Sequence, residues 1–450
     1  MALKGLDIFK LTPKTNCKDC GSPTCMAFAM KVAQGAMSLD KCPHLTDDVK
    51  SQLSEATAPP MKSIKIGTGH NEHTLGGETV LFRHEKTLVS KNLFAVSVCT
   101  CMDDAKADKI LAEIPHVDYE RIGERMYVEL IHVKCANPST DKEHFFTLIK
   151  KASALGRCLV LECDCPDVAN EAVSLVAADK PVLLGANPDN WESMNAVAKQ
   201  AGIVLGVSAP SLSELYDTVA KLEAAGNKNL ILDVGTTSIK DAFANAVQIR
   251  SAALKNNDRT FGYPSFVNVG KLAPDDAVTQ AALASIFTLK YGSIIAMGGM
   301  TYAEALPLYG LRQNIFTDPQ KPMKVAPGIY PMNGADENAP CLTTVDFALT
   351  YFVVSGEIER SAMPVNLLIS DAGGYSVLTA WAAGKLSASS LKRYFDEFEI
   401  ENKIKNRTLV IPGKVAVLKG EIEEKLPGWK IVVGPNEAIQ VVKFLKNLDK

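Results

Sequence analysis

The sequence predicts a three-part α/β protein: a small N-terminal cysteine-bearing unit, a central (β/α)8 TIM barrel and a C-terminal Rossmann-like α/β domain. Three observations carry that reading. Four cysteines crowd into residues 17 to 42. Between about 61 and 315, short apolar, β-branched runs alternate with longer amphipathic ones. Beyond a proline-rich stretch, strand patterns recur with glycine-bearing turns that open helices.

Bulk properties narrow the function classes. The chain has 450 residues, and 48 basic against 51 acidic side chains give a net charge of −3. Nucleic-acid binders carry a basic face, which this balance does not supply. No uninterrupted apolar run reaches the ~18 residues of a spanning helix, and Met1 to Lys14 lacks a signal-peptide core. A soluble, cytoplasmic protein is the expectation. Eleven cysteines, an odd number, argue against a disulfide framework.

Residues 1–60 form the first unit, closed by the linker-like Ala56-Thr57-Ala58-Pro59-Pro60. Its ligand candidates are Cys17, Cys20, Cys25 and Cys42, spaced C-x2-C-x4-C-x16-C. Four thiolates converging on one point suit a [4Fe–4S] cubane. Gly21 and Pro23 supply turns between the ligands, and Pro43 follows the last one as in bacterial ferredoxin motifs. A structural zinc site and unbound thiols remain the alternatives. Zinc sites favour paired CxxC motifs or added histidines, and only one CxxC is present.

Residues 61–315 read as the barrel. The strand candidates are 94–99, 127–133, 158–163, 181–186, 203–208, 230–234, 266–269 and 294–297, each followed by a helical pattern. A doubly wound open sheet is the structural competitor. Ile64–Ile66 and Thr79–Phe82 are expected to pair as a hairpin across the barrel floor. Acidic residues fall at strand ends: Glu162, Asp164, Asp189 and Asp233. In an isolated barrel they would suggest a pterin or metal site. Cys99, Cys101, Cys163 and Cys165 also sit at strand ends, and are read as small apolar side chains with free thiols.

Residues 316–342, with Pro319, Pro322, Pro327, Pro331 and Pro340, read as a linker permitting domain movement. Residues 343–450 then give helix 345–360, strand 365–370, strand 408–411, helix 414–426, strand 430–433 and a last helix from Asn436. Ligands of such parallel sheets sit at the carboxyl ends of the strands. Those ends are Ser370–Gly374, Pro412–Gly413 and Gly434–Ala438. Thr343, Thr344, Ser370, Ser376 and Asn436 offer hydrogen-bonding groups suited to carboxamides. The plainer reading is a βα turn at Asp371–Gly374 and a helix cap at Asn436. No G-x-G-x-x-G occurs here, so a dinucleotide site is poorly supported.

The combination resembles the large (gamma) subunit of the corrinoid iron–sulfur protein of the carbon monoxide dehydrogenase/acetyl-CoA synthase system. The residues that carry the resemblance are Asn16-Cys17-Lys18-Asp19-Cys20-Gly21 with Pro23-Thr24-Cys25, Ser370-Asp371-Ala372-Gly373-Gly374-Tyr375-Ser376 and Gly434-Pro435-Asn436-Glu437-Ala438. The resemblance implies a methyl carrier of the reductive acetyl-CoA pathway, in the methyltransferase class but not a stand-alone catalyst. Its corrinoid, as Co(I), takes methyl from methyltetrahydrofolate through a separate methyltransferase and passes it to the nickel site of acetyl-CoA synthase. A [4Fe–4S] cluster restores Co(I) after oxidation to Co(II). The resemblance also implies a heterodimer with a smaller barrel subunit and, since the methyl-donor pterin binds the separate methyltransferase, a scaffold role with subunit contacts for this barrel and its strand-end acids. The corrinoid contacts expected are Thr343, Thr344, Ser370–Ser376, Gly413 and Gly434–Ala438, with no catalytic side chain. All seven histidines lie between His44 and His144, which fits a base-off cobalt without a protein imidazole ligand. Two alternatives stand beside this reading: a barrel methyltransferase binding folate itself, and a ferredoxin-like electron-transfer subunit whose last domain binds flavin or nothing.

Overall fold

Alternation of fully apolar strands with one-sided helices closes a barrel in this chain because each strand is covered on both faces. The structure, a computed structural model, describes residues 5–33, 37–46, 49–50, 59–235, 237–318 and 323–448. It divides into two compact units, residues 1–118 with 127–316 and residues 119–126 with 317–450.

In the first unit, helices Gly5–Lys10 and Cys25–Ala33 pack through Ile8, Phe28, Ala29 and Val32, with Leu39, Cys42 and Leu45 completing a small core. The expected linker residues Ala56, Thr57 and Ala58 lie outside the described residues. Strands β1 (Ser63–Ile66) and β2 (His73–Gly76) form an antiparallel hairpin. The first strand is as expected, but its partner is not Thr79–Phe82. Thr79 and Phe82 are exposed, so that segment has no buried face, whereas Leu75 is fully buried opposite Ile64.

The eight barrel strands are β3 (Leu93–Cys99), then, after a hairpin β4 (Asp118–Arg121) and β5 (Glu124–Tyr127), β6 (Leu130–Lys134), β7 (Cys158–Glu162), β8 (Val182–Ala186), β9 (Val204–Val207), β10 (Leu230–Asp233), β11 (Ser265–Asn268) and β12 (Ile294–Met297). All pair in parallel and close as β10-β11-β12-β3-β6-β7-β8-β9. Every residue of β3 is buried, which is the signature of a strand with no solvent face. Helix starts are fixed by side-chain caps: Asp103, Ser211, Ser238 and Asp276 each accept from the backbone three residues on. The β4–β5 hairpin was not expected. Its turn uses Ile122 and Gly123 at positive φ, and its charged flanks hide the period-two pattern.

The second unit holds β13 (Gly328–Met332), β14 (Cys341–Val345), β15 (Val365–Ser370), β16 (Thr408–Ile411) and β17 (Lys430–Val433). They order as β13-β15-β14-β16-β17, parallel except for the antiparallel edge strand β13. Two expectations are corrected. The proline-rich 316–342 stretch is not a bare linker, because β13 lies within it and pairs over five residues with β15. Pro331 is tolerated there because an edge strand can lack a donor. The segment Cys341–Val345 is a buried central strand, and the following helix begins at Ala348 and runs to Ser361. Pro319 and Pro322 lie outside the described residues.

Candidate functional site

The four N-terminal cysteines converge. Cys17, Cys20, Cys25 and Cys42 all line one small cavity. Cys25 and Cys42 are buried, Cys20 is half-buried and Cys17 is exposed. The loop that gathers them is bent by left-handed residues at Asn16, Lys18 and Gly21. Asn16 fixes it further: its Oδ1 accepts from Cys25 N at 2.8 Å, and its own N–H points at Cys25 Sγ at 3.4 Å. An N–H donated to sulfur is the contact that stabilises a thiolate ligand. Cys42 follows a turn of 3-10 helix, Leu39–Lys41, which returns the chain to the cavity. His44 is turned to Asp19, with Nε2 2.7 Å from Oδ2. Cys17, Asp19 and His44 could together face a cation, but all three are exposed. The four-thiol set is the better fit to a cluster, since it surrounds a common cavity with donors of one kind.

The second site follows from strand order. β14 is the first parallel strand of its sheet; β15 lies on one side of it and β16 on the other. The connections therefore leave in opposite directions and open a crevice at the carboxyl ends of β14 and β16. A cavity of about 490 Å3 occupies it. Thr343, Thr344, Ser376, Gly434, Pro435, Asn436, Glu437 and Ala438 line it as expected. Pro412, at an expected strand end, also lines it, and so do Lys414 and, from the following helix, Leu349, Thr350 and Val353, which were not anticipated. Their signal was faint, because helix 348–361 reads as an ordinary amphipathic element until its register is known.

The remaining expected contacts sit around the crevice but not on the cavity wall. Ser370 is buried at the end of β15, its hydroxyl donating to Thr344 O at 3.2 Å. Asp371, Ala372, Gly373, Gly374 and Tyr375 form the loop beyond it, with Ala372 buried and Tyr375 exposed. Gly413 donates to Pro435 O at 3.2 Å. A Cβ there would lie 2.5 Å from Gly434 O and 2.7 Å from Asn436 Oδ1, so two loops meet where only glycine fits.

One hydroxyl in the lining stands without a partner among the described residues. Thr344 is 3% exposed, lines the cavity, and its Oγ1 has no partner among the described residues. A buried polar atom of this kind is costly unless a ligand or water satisfies it. Apolar walls with a few hydroxyl and amide groups fit a large, amide-fringed ring system and its side chains.

The barrel mouth looks different. Glu162 is engaged on both oxygens, by His132 Nε2 at 2.9 Å and by Lys134. Burial opposes its charge, but His132 and Lys134 outweigh that and hold its carboxyl at about 2. Burial pushes Asp233 up to about 6, with Gly235 N donating to it at 2.8 Å. Asp189 is exposed, its backbone capped by Asn187, and Asp164 contributes its carbonyl to Asn190. Glu162 and Asp233 feel each other's charge, the Glu162 carboxylate adding to the rise of Asp233, while Asp164 and Asp189 are held in their own loops. Cys163 is buried, and burial pushes its thiol up to about 12. Cys99 and Cys101 depart from the expected free thiols: the structure joins them by a disulfide. With a single residue between them, the pair closes a local ring and crosslinks no distant elements.

Sequence comparison decides the family. Residues 63–445 match the model of the CO dehydrogenase/acetyl-CoA synthase delta subunit family. The chain belongs to this family. Residues 13–44 match the "Putative Fe-S cluster" model. The corrinoid/iron-sulfur protein large subunit of Moorella thermoacetica is 38% identical over 99% of both chains. The acetyl-CoA decarbonylase/synthase gamma subunit of Methanopyrus kandleri is 33% identical, covering 99% of this chain and 97% of that one. That of Methanothermobacter thermautotrophicus is 30% identical over 100% and 99%. Among solved structures, dihydropteroate synthase of Thermus thermophilus aligns with 50% of this chain and 94% of its own, at 16% identity and a TM-score of 0.38. The Moorella, Methanopyrus and Methanothermobacter relatives thus align with 99–100% of this chain, whereas the delta family model begins at residue 63. Among the described residues no helix is long and apolar enough to cross a membrane.

Proposed function

We propose that this chain is the large subunit of a corrinoid iron–sulfur methyl carrier in the acetyl-CoA pathway. The observation that supports it is the pairing of two sites in one chain: four thiols on one cavity, and a switch-point crevice with the unpartnered Thr344 hydroxyl. Cys17, Cys20, Cys25 and Cys42 would hold the [4Fe–4S] cluster. Thr343, Thr344, Ser376 and Gly434–Ala438 would hold the corrinoid, with Ser370–Tyr375 and Gly413 shaping its rim. When bound, the corrinoid supplies a cobalt that accepts and donates methyl groups, and the cluster supplies an electron that reactivates it. The protein's part is to present hydroxyl and amide groups, exclude water from the apolar crevice, and leave cobalt without an imidazole. No histidine occurs beyond His144, so this unit has none to offer. The detached lower base and nucleotide tail would enter the apolar cavity, which suits a base-off state.

The activity is of the methyltransferase class, exercised as a carrier between a methyltetrahydrofolate-dependent methyltransferase and the nickel site of acetyl-CoA synthase. A small subunit completes the heterodimer, and the assembly works in the cytoplasm. The test is the visible spectrum and metal content of the anaerobically purified chain with its partner subunit. Cobalt and iron at about 1:4 is expected from one corrinoid and one cubane. Flavin absorbance without cobalt would sink the reading. Methyltetrahydrofolate binding by this chain alone would overturn the scaffold role of the barrel.

A further inference from the structure

We propose that Asp346 is the positioning residue of the corrinoid site, its buried carboxylate clamping the Asp371–Gly374 loop while Lys324 balances its charge. The inference rests on the corrinoid reading above and names how that site is held ready. Asp346 is the first residue beyond β14, and its side chain is wholly buried. Its Oδ1 accepts from Ala372 N and Gly374 N, each at 3.0 Å, and its Oδ2 also lies 3.0 Å from Gly374 N. Its own N–H donates to Ser370 O at 3.1 Å, so the start of the loop is tied to the same residue.

Burying a carboxylate is costly unless charge and hydrogen bonds compensate it. Here they do. Lys324 Nζ is 3.4 Å from Asp346 Oδ2 and 3.5 Å from Asp371 Oδ1. Residues 323–325 run antiparallel to 346–348, through Val325 N to Asp346 O and Ala348 N to Met323 O, which sets the lysine over both acids. Gly373 and Gly374 are both left-handed, at φ 73° and 78°. That backbone turns the amides of Ala372 and Gly374 towards Asp346, while Gly373 N donates to Asp371 Oδ1 at 2.9 Å. The loop runs directly into Tyr375 and Ser376, and Ser376 both starts helix Val377–Ala382 and lines the cavity. Holding Asp371–Gly374 therefore fixes where Ser376 meets the ligand. An ordinary turn brace would need one acceptor; this one uses an entire buried charge, which points to a loop whose exact shape matters to binding.

The test uses the full-length chain with its co-expressed partner subunit, prepared without corrinoid and titrated with aquocobalamin. Asp346→Asn replaces one acceptor with a donor facing Gly374 N–H. The expected result is a Kd for cobalamin raised about tenfold or more, with the melting temperature of the cofactor-free protein little changed. Amide exchange at residues 372–376 of the cofactor-free protein should accelerate about tenfold. Lys324→Gln, at a half-exposed position, should move both readouts the same way by about threefold. It decides alone if Asp346→Asn does not fold. Wild-type exchange and wild-type affinity in a folded variant would overturn the inference. No uptake of cobalamin by the wild type would sink the corrinoid reading and this inference together; equal uptake by wild type and variants would sink the inference alone.

Discussion

Arg312 Nη1 lies 2.6 Å from Glu129 Oε1, with both side chains only 4% exposed. The same guanidinium nitrogen donates to Asn92 O at 2.9 Å, and Glu129 Oε2 accepts from Phe94 N at 3.1 Å. The pair thus joins the last barrel helix to the start of β3 and the residue before β6, where the barrel closes. Removing one partner strands a buried charge. Arg312→Met should destabilise the barrel by roughly 3–5 kcal/mol, while Arg312→Met with Glu129→Leu should recover part of that loss. Denaturant unfolding of the full chain, followed by far-UV circular dichroism, checks it.

Two carboxylates at the barrel mouth set opposite pH dependences. Glu162 is held at about 2, below its ordinary 4.5, by His132 and Lys134 against the cost of burial. Its stabilisation is present above the unfolded value and lost as pH falls from 4.5 towards 2. Asp233 is raised to about 6 by burial. Its folded form prefers the proton, so stability falls as pH rises from 3.8 to 6 and is flat above. Glu162→Gln should flatten the acid limb and cost up to about 3 kcal/mol at pH 7, and Asp233→Asn should stabilise at pH 7 to 8. Melting temperatures across pH 3 to 8 separate the two.

Thr344 distinguishes a binding group from a structural one. Thr344→Val removes a buried hydroxyl that has no partner among the described residues. The cofactor-free chain should be unchanged or about 1 kcal/mol more stable. Corrinoid affinity should fall, read by cobalamin titration. A loss of stability without a loss of affinity would remove Thr344 from the site.

Gly413 and Gly420 make a matched pair. A Cβ at Gly413 would press on Gly434 O and Asn436 Oδ1, whereas one at Gly420, in helix Lys419–Lys425, would meet nothing within 4 Å. Gly413→Ala should lower cobalt content with the sheet intact. Gly420→Ala should raise stability by up to about 1 kcal/mol with cobalt unchanged. Cobalt analysis and thermal unfolding check both.

Cys20→Ala tests the division of labour between the two sites. Iron content and the cluster's visible absorbance should collapse. Methyl transfer from protein already loaded with methyl should persist, while reactivation of oxidised cobalt by low-potential donors should stop. Reactivation at the wild-type rate would remove the cluster from that role.

The barrel was legible because its strands are covered on both faces, so unbroken runs such as Leu93–Cys99 announce themselves. The cluster of four thiols was legible because their spacing is local. What stayed hidden depended on distant partners. Cys341–Val345 looks like the tail of a proline-rich stretch until β15 and β16 flank it. Gly328–Met332 carries a proline and becomes a strand only as an edge. Asp346 gives no sign in sequence, since the amides it binds lie more than twenty residues on. Thr343 and Thr344 stand out by their chemistry, yet only the strand order shows why they face a crevice.

The edge strand β13 also sets a load path. It runs antiparallel to β15, so Gly328, where it begins, lies opposite Ile369, beside the ligand end of the sheet. Tension on the chain entering this unit would therefore reach the ligand end first. Among the bonds on that side are Ala348 N to Met323 O and Val325 N to Asp346 O. A pull from that side would be felt at the Asp371–Gly374 loop before any strand in the middle of the sheet was strained.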